Sequence, residues 1–320
     1  MVGENGAGKT NLLEAVHVAT QGFSPRPHAE AGLVRFGEAA ATVGLEVVQG
    51  RVAHAIGLRL VPGEARGIEL DGARLASTEP LRRRFPALVF TPDRLAVVKA
   101  GPSARRAYLD RALARLEPAR APLPREYAAT LVQRNAALRR VQAGVSAPEA
   151  LRPWSERLAG LGAELVAARR RTLARLADPF AERAAELGLA GATLAYEGDA
   201  PSVAALEARL AADVARGATG RGPHLDDVRI AAAGRDLRRF GSQGEQRIAL
   251  LALILAEADL VVPPPLLLLD DVLSELDARR RAALARRIER LEQTLVTATQ
   301  QAALPLEPAQ VVEVTPGQAR

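Results

Sequence analysis

Cysteine is absent from this chain of 320 residues, so it can form neither a disulfide nor a thiolate metal site. Lysine is nearly absent too: Lys9 and Lys99 are the only two, and arginine supplies the remaining basic residues. In a chain so depleted in lysine, a lysine that arginine could replace at little cost would have been lost. Each of the two therefore needs an explanation. Aromatic residues make up only 3% of the chain, so we expect a core built mainly from Leu, Val and Ala.

Long apolar runs are also missing. The strongest one, Leu260 to Leu269, contains three prolines and is shorter than the roughly 18 residues that a membrane span needs. Gly and Asn stand near the N-terminus where a secretory signal would place basic and then apolar residues. We therefore expect a soluble, cytoplasmic protein without a membrane partner.

The pattern of apolar residues changes twice along the chain. The first part predicts a helix over 11–21 and strands over 43–49, 53–60 and 67–70, with a hairpin turn at Asp71-Gly72. A region from 102 to 216 has helical spacing, with a linker at 142–153. The last part predicts strands near 226–231, 265–269, 294–298 and 310–314 and helices at 243–258 and 278–291. We predict an α/β domain, residues 1–100 and 217–320, split by a helical domain over 101–216.

A phosphate-binding loop is the strongest motif. The segment Gly3-Glu4-Asn5-Gly6-Ala7-Gly8-Lys9-Thr10 matches the pattern G-x-x-x-x-G-K-[ST] at every fixed position. Glycines let backbone N–H groups turn toward phosphates, and the helix that follows directs its positive end at the same anion. Lys9 is expected to reach the β and γ phosphates, and Thr10 to bind Mg²⁺.

Two carboxylates follow an apolar run near the C-terminal end. Leu266 to Leu269 predicts a buried strand that ends in Asp270 and Asp271, the arrangement called Walker B. We expect Asp270 to bind Mg²⁺ and Asp271 to position or deprotonate the attacking water. Alone, this pattern is equally typical of a buried strand capped by solvated acids.

A second glycine-containing turn precedes the helix predicted at 243–258. Ser242 and Gly244 resemble the signature motif of ABC-type ATPases, which binds the γ-phosphate held by a second subunit. Taken alone, the same residues could be an ordinary serine-capped helix start. Ser274-Glu275-Leu276-Asp277 matches the D-loop of the same class.

Together these elements resemble an ABC-type ATPase head, a P-loop NTPase whose lobe I is split by an inserted helical lobe II. Further blocks, at 90–93, 98–102, 105–110, 133–135, 216–219 and 222–227, resemble the RecF family of recombination-repair ATPases. Transporter ATPases place the signature much closer to the phosphate loop than the 233 positions between Lys9 and Ser242. SMC and Rad50-like proteins insert a long coiled coil that this chain lacks.

The resemblance implies a function. RecF-like proteins bind ATP with Mg²⁺, close into a homodimer on DNA at gaps and single-strand/double-strand junctions, and assist recombinase loading and SOS induction with RecR and RecO mediators. It implies a weak, DNA-dependent ATPase. Two alternatives stay open: an SMC-like architectural clamp with little hydrolysis, and a DNA-binding module with a defunct nucleotide site.

Basic residues concentrate between positions 99 and 140, a segment that contains ten basic and three acidic residues. Such a region, nearly free of aromatics, favours contacts with the DNA backbone and a steep salt dependence. The alternative for any one arginine is a solvated helix face or an ion pair. The residues predicted to bind DNA are Lys99, Arg105, Arg106, Arg134, Arg139 and Arg140.

The sequence departs from the family pattern in three places. A buried strand normally precedes the phosphate loop, but only Met1 and Val2 precede Gly3, so we expect that the first strand of the sheet is missing. Leu225 stands where the family has Arg, and Asp271 where transporters have Glu. Neither the γ-phosphate-sensing Gln nor the switch residue is identified, although Thr297 or Thr299 lies near the switch position.

Overall fold

The computed structural model describes residues 1–26, 31–274, 276–300 and 306–320. No helix among these residues combines the length and the apolar character needed to cross a membrane. The chain divides into two compact units. Unit 1 comprises Met1–Ala96, Arg183–Leu189 and Ser242–Arg320, and unit 2 comprises Val97–Glu182 and Ala190–Gly241.

Helices occupy much of both units. In chain order they are α1 (Lys9–Gln21), α2 (Glu79–Arg84), α3 (Ala96–Lys99), α4 (Pro102–Leu116), α5 (Leu123–Gln142), α6 (Arg152–Glu186), α7 (Val203–Glu207), α8 (Leu210–Arg216), α9 (Leu237–Phe240), α10 (Gln243–Ala258) and α11 (Ala278–Ile288). Short 3₁₀ turns lie at Ala31–Leu33, Pro92–Leu95, Pro118–Arg120 and Pro148–Leu151.

The strands are shorter and form several separate sheets. In chain order they are β1 (Ala41–Gln49), β2 (Val52–Leu60), β3 (Gly67–Leu70), β4 (Ala73–Arg74), β5 (Ala87–Phe90), β6 (Ala192–Glu197), β7 (Asp227–Ala232), β8 (Arg235–Asp236), β9 (Leu266–Leu269), β10 (Thr294–Val296), β11 (Val314–Thr315) and β12 (Gln318–Ala319).

A parallel sheet of order β10-β9-β5 forms the centre of unit 1. Its middle strand is four leucines, as expected for a parallel strand covered on both faces. Leu13 of α1 packs with Ala87, Val89 and Leu268 of the sheet. Nearly every residue of α10 is buried, because that helix is apolar around its whole circumference. Since parallel strands end at the same edge, the residues after β5, β9 and β10 lie close together.

An antiparallel meander, β1-β2-β3-β4, is the second sheet of unit 1. Asp71 and Gly72 make the last turn with positive φ angles of 52° and 80°, which confirms the predicted hairpin turn. Ile56, Leu58 and Ile68 pack from this sheet against α1 and α2.

The first two residues pair with backbone on both sides. The Met1 amino group donates to the Val296 carbonyl at 2.8 Å, and Val2 forms parallel bridges with Ala298 and Glu313. Met1 and Val2 therefore continue the order of the parallel sheet beyond β10.

Unit 2 combines helices with a small antiparallel sheet of order β6-β7-β8. Leu113, Tyr127, Leu158 and Leu165 form its main apolar cluster. The region from 102 to 216, expected to be mainly helical, contains one strand that the sequence did not predict, β6, Ala192–Glu197. That strand is stabilised by pairing with β7, about thirty positions later in sequence, and such non-local pairing overrides local propensity.

The two compact units do not divide the chain at the predicted positions. The first boundary, after Ala96, lies close to the predicted one, whereas unit 2 continues to Gly241 because β7 pairs with β6. The end of α6 belongs to unit 1, where Arg183 lies 3.4 Å from Asp259 and the Leu187 carbonyl accepts from Arg280. The loop expected at 142–153 is shortened by the 3₁₀ turn Pro148–Leu151 and by the start of α6 at Arg152.

A buried arginine organises the end of unit 2 that contains α5 and α8. The Arg134 side chain is completely buried and donates to Asp213 at 3.0 Å, to Thr219 at 2.6 Å and to Ser155 at 3.1 Å. Asn135 accepts from both the backbone N–H and the hydroxyl of Thr219. These bonds engage Nε and Nη1 of the buried guanidinium and fix the loop that follows α8.

Removing one partner of this pair should destabilise unit 2. Arg134→Met leaves the Asp213 carboxylate buried and uncompensated, so we expect the free energy of unfolding to fall by about 3 kcal/mol. Arg140→Met, at an exposed position of the same helix, should change it by about 0.5 kcal/mol or less. Urea denaturation of both variants measures the difference, and equal stabilities would contradict the structural role of Arg134.

His224 should make the stability of unit 2 depend on pH. Burial lowers its pKa, with a smaller contribution from Arg106, against the opposing effects of the Thr219 carbonyl, Asp226 and Asp213. A lowered folded-state pKa means that the unfolded chain binds the proton more readily. The stabilising contribution is therefore complete above about pH 6.5 and is lost as the pH falls below it.

The measurement is urea denaturation between about pH 5 and 7.5, comparing the wild type with His224→Gln. The wild type should lose more stability than the variant on acidification. If the free energies of unfolding of the two proteins changed with pH in parallel, His224 would not contribute to the pH dependence of stability.

Candidate nucleotide site

The phosphate loop joins the edge of the parallel sheet to α1. Gly6 and Gly8 have φ angles of 83° and 105°, and residues other than glycine rarely adopt such positive angles. The Lys9 ammonium donates to the carbonyls of Gly3 at 2.7 Å and Glu4 at 2.8 Å. The loop thus curls around its own lysine, with the N-terminus of α1 directly behind it.

Asp270, at the end of β9, connects this loop to the neighbouring strand. It is 4% exposed and accepts from the Thr10 hydroxyl, at 3.0 and 2.9 Å to its two oxygens. The Thr297 hydroxyl, just beyond β10, donates to Asp270 Oδ1 at 2.8 Å. A buried carboxylate needs such partners, and here they come from two separate segments of unit 1.

Asp271 is exposed and has an uncommon backbone conformation, with a φ of 48°. Its N–H donates to Thr297 Oγ1 at 2.9 Å, and its carbonyl accepts from the Ser274 hydroxyl at 3.0 Å. Conformations of this kind cost energy and persist only where neighbours impose them. Thr297 therefore holds both residues of the acidic pair. Glu275, in the predicted D-loop, lies outside the described residues.

These groups face one cavity of about 450 Å³, large enough for a small-molecule ligand. Of the predicted site residues, the lining contains Asn5, Gly6, Gly8, Lys9, Thr10, Asp270 and Asp271. Gly3, Glu4 and Ala7 are not in that lining. Gly3 and Glu4 contribute carbonyls to Lys9 instead, and Ala7 is buried in the core.

The cavity also contains residues to which the sequence assigned no role. Arg26 lines it and is oriented by Glu14 at 3.2 Å and Asn11 at 3.2 Å, both on α1. Thr91, Pro92 and Asp93 enter the lining because β5 ends beside β9. The block containing 90–93 was visible in the sequence, but no local pattern identifies Arg26.

Thr297 and Thr299 are distinguished by their surroundings. Thr297 is buried, bonded to the acidic pair and part of the cavity lining, whereas Thr299 is exposed. The position next to the acidic pair is therefore held by Thr297.

The residues present fit a magnesium ion. Thr10, Asp270 and Thr297 bring a carboxylate and two hydroxyls together, and oxygen atoms are the ligands that Mg²⁺ prefers. Among the described residues, no group of three or more Asp, Glu, His or Cys side chains could hold a metal. That agrees with magnesium sites in which one or two carboxylates act together with phosphate oxygens.

The charges lining the cavity are mixed. Lys9 and Arg26 are the cationic side chains among its described lining residues, and Asp93, Asp270 and Asp271 are the acidic ones. The cavity wall alone therefore carries no surplus of positive charge.

Ser242 and Gly244 lie at the start of α10 and are not part of this lining. Ser242 is the helix N-cap: its hydroxyl accepts from the Glu245 N–H at 3.2 Å, and its own N–H donates to the Glu245 carboxylate at 2.7 Å. The serine-capped helix start is thus present. In this cap the Ser242 oxygen accepts a hydrogen bond, so its hydroxyl proton can still donate to a ligand in solvent. The first N–H groups of the helix can donate to the same ligand.

The residues predicted to bind DNA differ in accessibility. Lys99, Arg139 and Arg140 are exposed, and Arg106 is half-buried with its guanidinium on the Asp226 carbonyl at 2.7 Å.

Arg105 and Arg134 correct that prediction. Arg105 is 4% exposed and makes a bidentate ion pair with Asp227 at 2.7 and 2.8 Å, and Arg134 is fully buried. Neither guanidinium can reach a phosphate in solvent. Both stabilise the fold of unit 2 instead.

Leu225, where the family pattern has arginine, is 56% exposed. An arginine would fit at this surface position without rearrangement, so the leucine removes a cationic surface group and not a core contact.

Comparison with known proteins agrees with this geometry. The family model described as RecF/RecN/SMC N terminal domain matches residues 1–319. The DNA replication and repair protein RecF of Synechococcus sp. (strain JA-3-3Ab) is 37% identical over 99% of this chain and 90% of its own length. The protein of the same name from Anaeromyxobacter dehalogenans (strain 2CP-C) is 41% identical over 87% of this chain and 79% of its own.

A solved structure of the recombination mediator protein RecF with ATP, in the RecFOR pathway, has a TM-score of 0.88 and 28% identity. It covers all of this chain and 90% of the solved one. The phosphate loop, the helix that starts at Ser242 and the acidic strand follow one another along the chain, and this order, the ABC-type ATPase fold and these likenesses all agree. The chain belongs to the RecF family.

Proposed function

We propose that this protein is an ATP-dependent DNA-binding protein of replication and recombinational repair, with weak, DNA-dependent ATPase activity. The observation that carries the proposal is the cavity in unit 1 where the phosphate loop meets Asp270, Asp271 and Thr297. The relatives named for DNA replication and repair, and the ATP complex of RecF, support the same role.

Each side chain of the cavity has a distinct task in this proposal. Lys9 leaves the carbonyls of its own loop and places a point charge against the β and γ phosphates. Asp271, exposed beside the buried Asp270, orients the attacking water and accepts its proton. Thr297 is a positioning residue, because it bonds to both members of the acidic pair.

Thr10 and Asp270 are the residues that would hold Mg²⁺. The ion supplies charge neutralisation on the phosphate oxygens when it is bound. The hydrogen bond between Thr10 and Asp270 already brings their oxygens into the arrangement that such binding needs.

A second copy of the chain completes the site. Ser242 and Gly244 lie away from the cavity of their own chain, at a helix start whose outward-facing donors suit a phosphate. In the proposed homodimer they bind the γ-phosphate held by the partner. Nucleotide thereby controls closure of the dimer.

The biological role follows the family. The ATP-closed dimer binds DNA at gaps and single-strand/double-strand junctions, and it assists recombinase loading and SOS induction together with RecR and RecO-like mediators. The solved RecF complex in the RecFOR pathway is the comparison that supports these partners.

Changing the lysine of the loop should abolish dimerisation. Lys9→Arg keeps the charge, but a planar guanidinium cannot replace a compact ammonium between the loop carbonyls and the phosphates. We expect the variant to remain monomeric with ATP and Mg²⁺, while the wild type dimerises, more strongly on gapped than on intact duplex DNA. Sedimentation velocity with ATP, ADP or no nucleotide measures this.

Lys99→Arg is the matched control, since Lys99 is the other lysine and lies on the exposed end of α3. It should dimerise as the wild type does. A wild-type protein that stays monomeric with every adenine nucleotide would contradict the nucleotide-sandwich mechanism.

Thr297→Val should affect hydrolysis more than nucleotide binding. The variant keeps the shape but removes the hydroxyl from Asp270 and from the Asp271 N–H, so we expect the hydrolysis rate to fall at least about tenfold, or 1.4 kcal/mol. The Kd for ATP should change by less than about threefold, because Lys9 and the loop are unchanged.

Thr299→Val is the control for this change, and Thr297→Ser should restore most of the rate. Single-turnover hydrolysis and nucleotide-binding titrations separate the two quantities. An equal loss of rate in both valine variants would refute the positioning role.

A further inference from the structure

Five exposed arginines surround the loop that follows α8 in unit 2. We name them the α5–α8 arginine cluster: two lie at the end of α5, two flank α8, and one ends the loop. They are Arg139, Arg140, Arg209, Arg216 and Arg221.

Glycine positions in the loop show how close these side chains lie. A Cβ placed on Gly217 would be 3.1 Å from Cγ of Arg139, and one placed on Gly220 would be 3.0 Å from Nη2 of Arg209. Gln142 of α5 donates to the Ala215 carbonyl of α8 at 2.8 Å. The end of α5, α8 and residues 217–221 therefore form one surface.

The positive charge of this surface is not compensated. Within the part of the chain that the structure describes, none of the five arginines forms an ion pair. Some other exposed arginines of unit 2 have acidic partners, namely Arg120, Arg152, Arg170 and Arg171.

The acid nearest the loop is Asp213, which is buried and engaged by Arg134 and by the Gly220 N–H. The negative charge of Asp213 is therefore compensated by the buried guanidinium of Arg134. Glu149 and Glu207 are the exposed acids nearby in sequence, and Glu207 acts on Arg152. The cluster therefore retains a local excess of positive charge.

The backbone beneath the cluster is fixed. Thr219 donates to Asn135 from its N–H at 2.8 Å and from its hydroxyl at 2.7 Å, and the Gly220 N–H donates to Asp213 at 3.0 Å. Binding would therefore order only side chains, which limits the entropic cost.

We propose that the α5–α8 arginine cluster binds the phosphate backbone of duplex DNA. The inference rests on the proposed function as a DNA-binding protein and identifies the surface that makes the contact. Guanidinium groups match phosphates in a bidentate geometry, and no residue in 139–145 or 209–221 is aromatic. Backbone contact fits this composition, whereas base stacking does not.

The composition also disfavours an acidic protein as the partner. Protein interfaces depend on buried aromatic and apolar anchors, and the exposed large apolar residues nearest to the cluster in sequence, Val132, Val145 and Leu225, include no aromatic side chain. Five cations around one short loop suit a regular row of phosphates better.

The test compares two triple variants that lose the same charge. Arg139→Gln, Arg216→Gln and Arg221→Gln alter the cluster, and Arg51→Gln, Arg59→Gln and Arg74→Gln alter exposed positions of the β1–β4 sheet. Fluorescence anisotropy with a labelled duplex, ATP and a salt series gives the affinity and its salt dependence. ATP-dependent dimerisation and DNA-independent hydrolysis are measured on the same samples.

The cluster triple should bind duplex DNA at least about tenfold more weakly near 0.1 M salt, and the slope of log K against log salt should become shallower by about 2 to 3. The triple variant of the β1–β4 sheet should bind duplex DNA with nearly the affinity and salt dependence of the wild type. A third variant with lysine at the three cluster positions should recover most of the affinity. Dimerisation and basal hydrolysis should be unchanged in all of them.

Equal affinities in the two glutamine triples would overturn the inference. It would also be overturned if the cluster triple bound DNA normally but lost affinity for polyglutamate, since the partner would then be an acidic protein. A wild type that dimerises with ATP but binds no DNA would overturn the DNA-binding role itself, and this inference with it.

Discussion

The carboxylate of Asp270 is the group on which the nucleotide site depends. It is buried at the end of β9, and the hydroxyls of Thr10 and Thr297 bond to it. A buried charge without such partners would cost several kcal/mol. The three residues are far apart in sequence but meet because parallel strands end at one edge of the sheet. The same contacts place Lys9 and Asp271 on the cavity, so catalytic geometry and folding stability share one set of bonds.

Unit 2 uses arginine in a different way. Arg105, Arg134 and Arg169 are buried, and each pairs with an aspartate, namely Asp227, Asp213 and Asp110. Arg105, Arg134 and Asp227 of these pairs lie in the sequence blocks 105–110, 133–135 and 222–227 that resemble the RecF family. A count of basic residues between 99 and 140 therefore overstates the exposed positive charge, because Arg105 and Arg134 are buried. In a chain with so few lysines, arginine supplies both buried ion pairs and exposed charge, and composition does not separate the two.

Local signals explain what could be predicted. The helix at 243–258 was predicted to the residue because its apolar run begins at a serine capping box, and the phosphate loop is specified by consecutive residues. β6 was missed because it is defined by pairing with a strand that follows much later. Arg26 was missed because its place at the cavity depends on Glu14 and Asn11 in the tertiary structure. From the sequence, the switch position could be assigned to either Thr297 or Thr299. Only the burial of Thr297 in the structure decided between the two.

The charges of the cavity bear on the proposed homodimer, in which a second chain contributes to the nucleotide site. Its lining contains two cationic and three acidic side chains, and Arg26 is already paired with Glu14. A nucleotide polyphosphate would add several negative charges to a wall without a positive surplus. Mg²⁺ at Thr10 and Asp270 would compensate part of that charge. In the proposed homodimer the remainder is met by the N–H groups of the phosphate loop and by donors at the start of α10 of the second copy, namely the Ser242 hydroxyl and the first N–H groups at the positive end of a helix dipole. Ser242 and Gly244 lie away from the cavity of their own chain, so the proposal makes closure of the dimer depend on the bound phosphate.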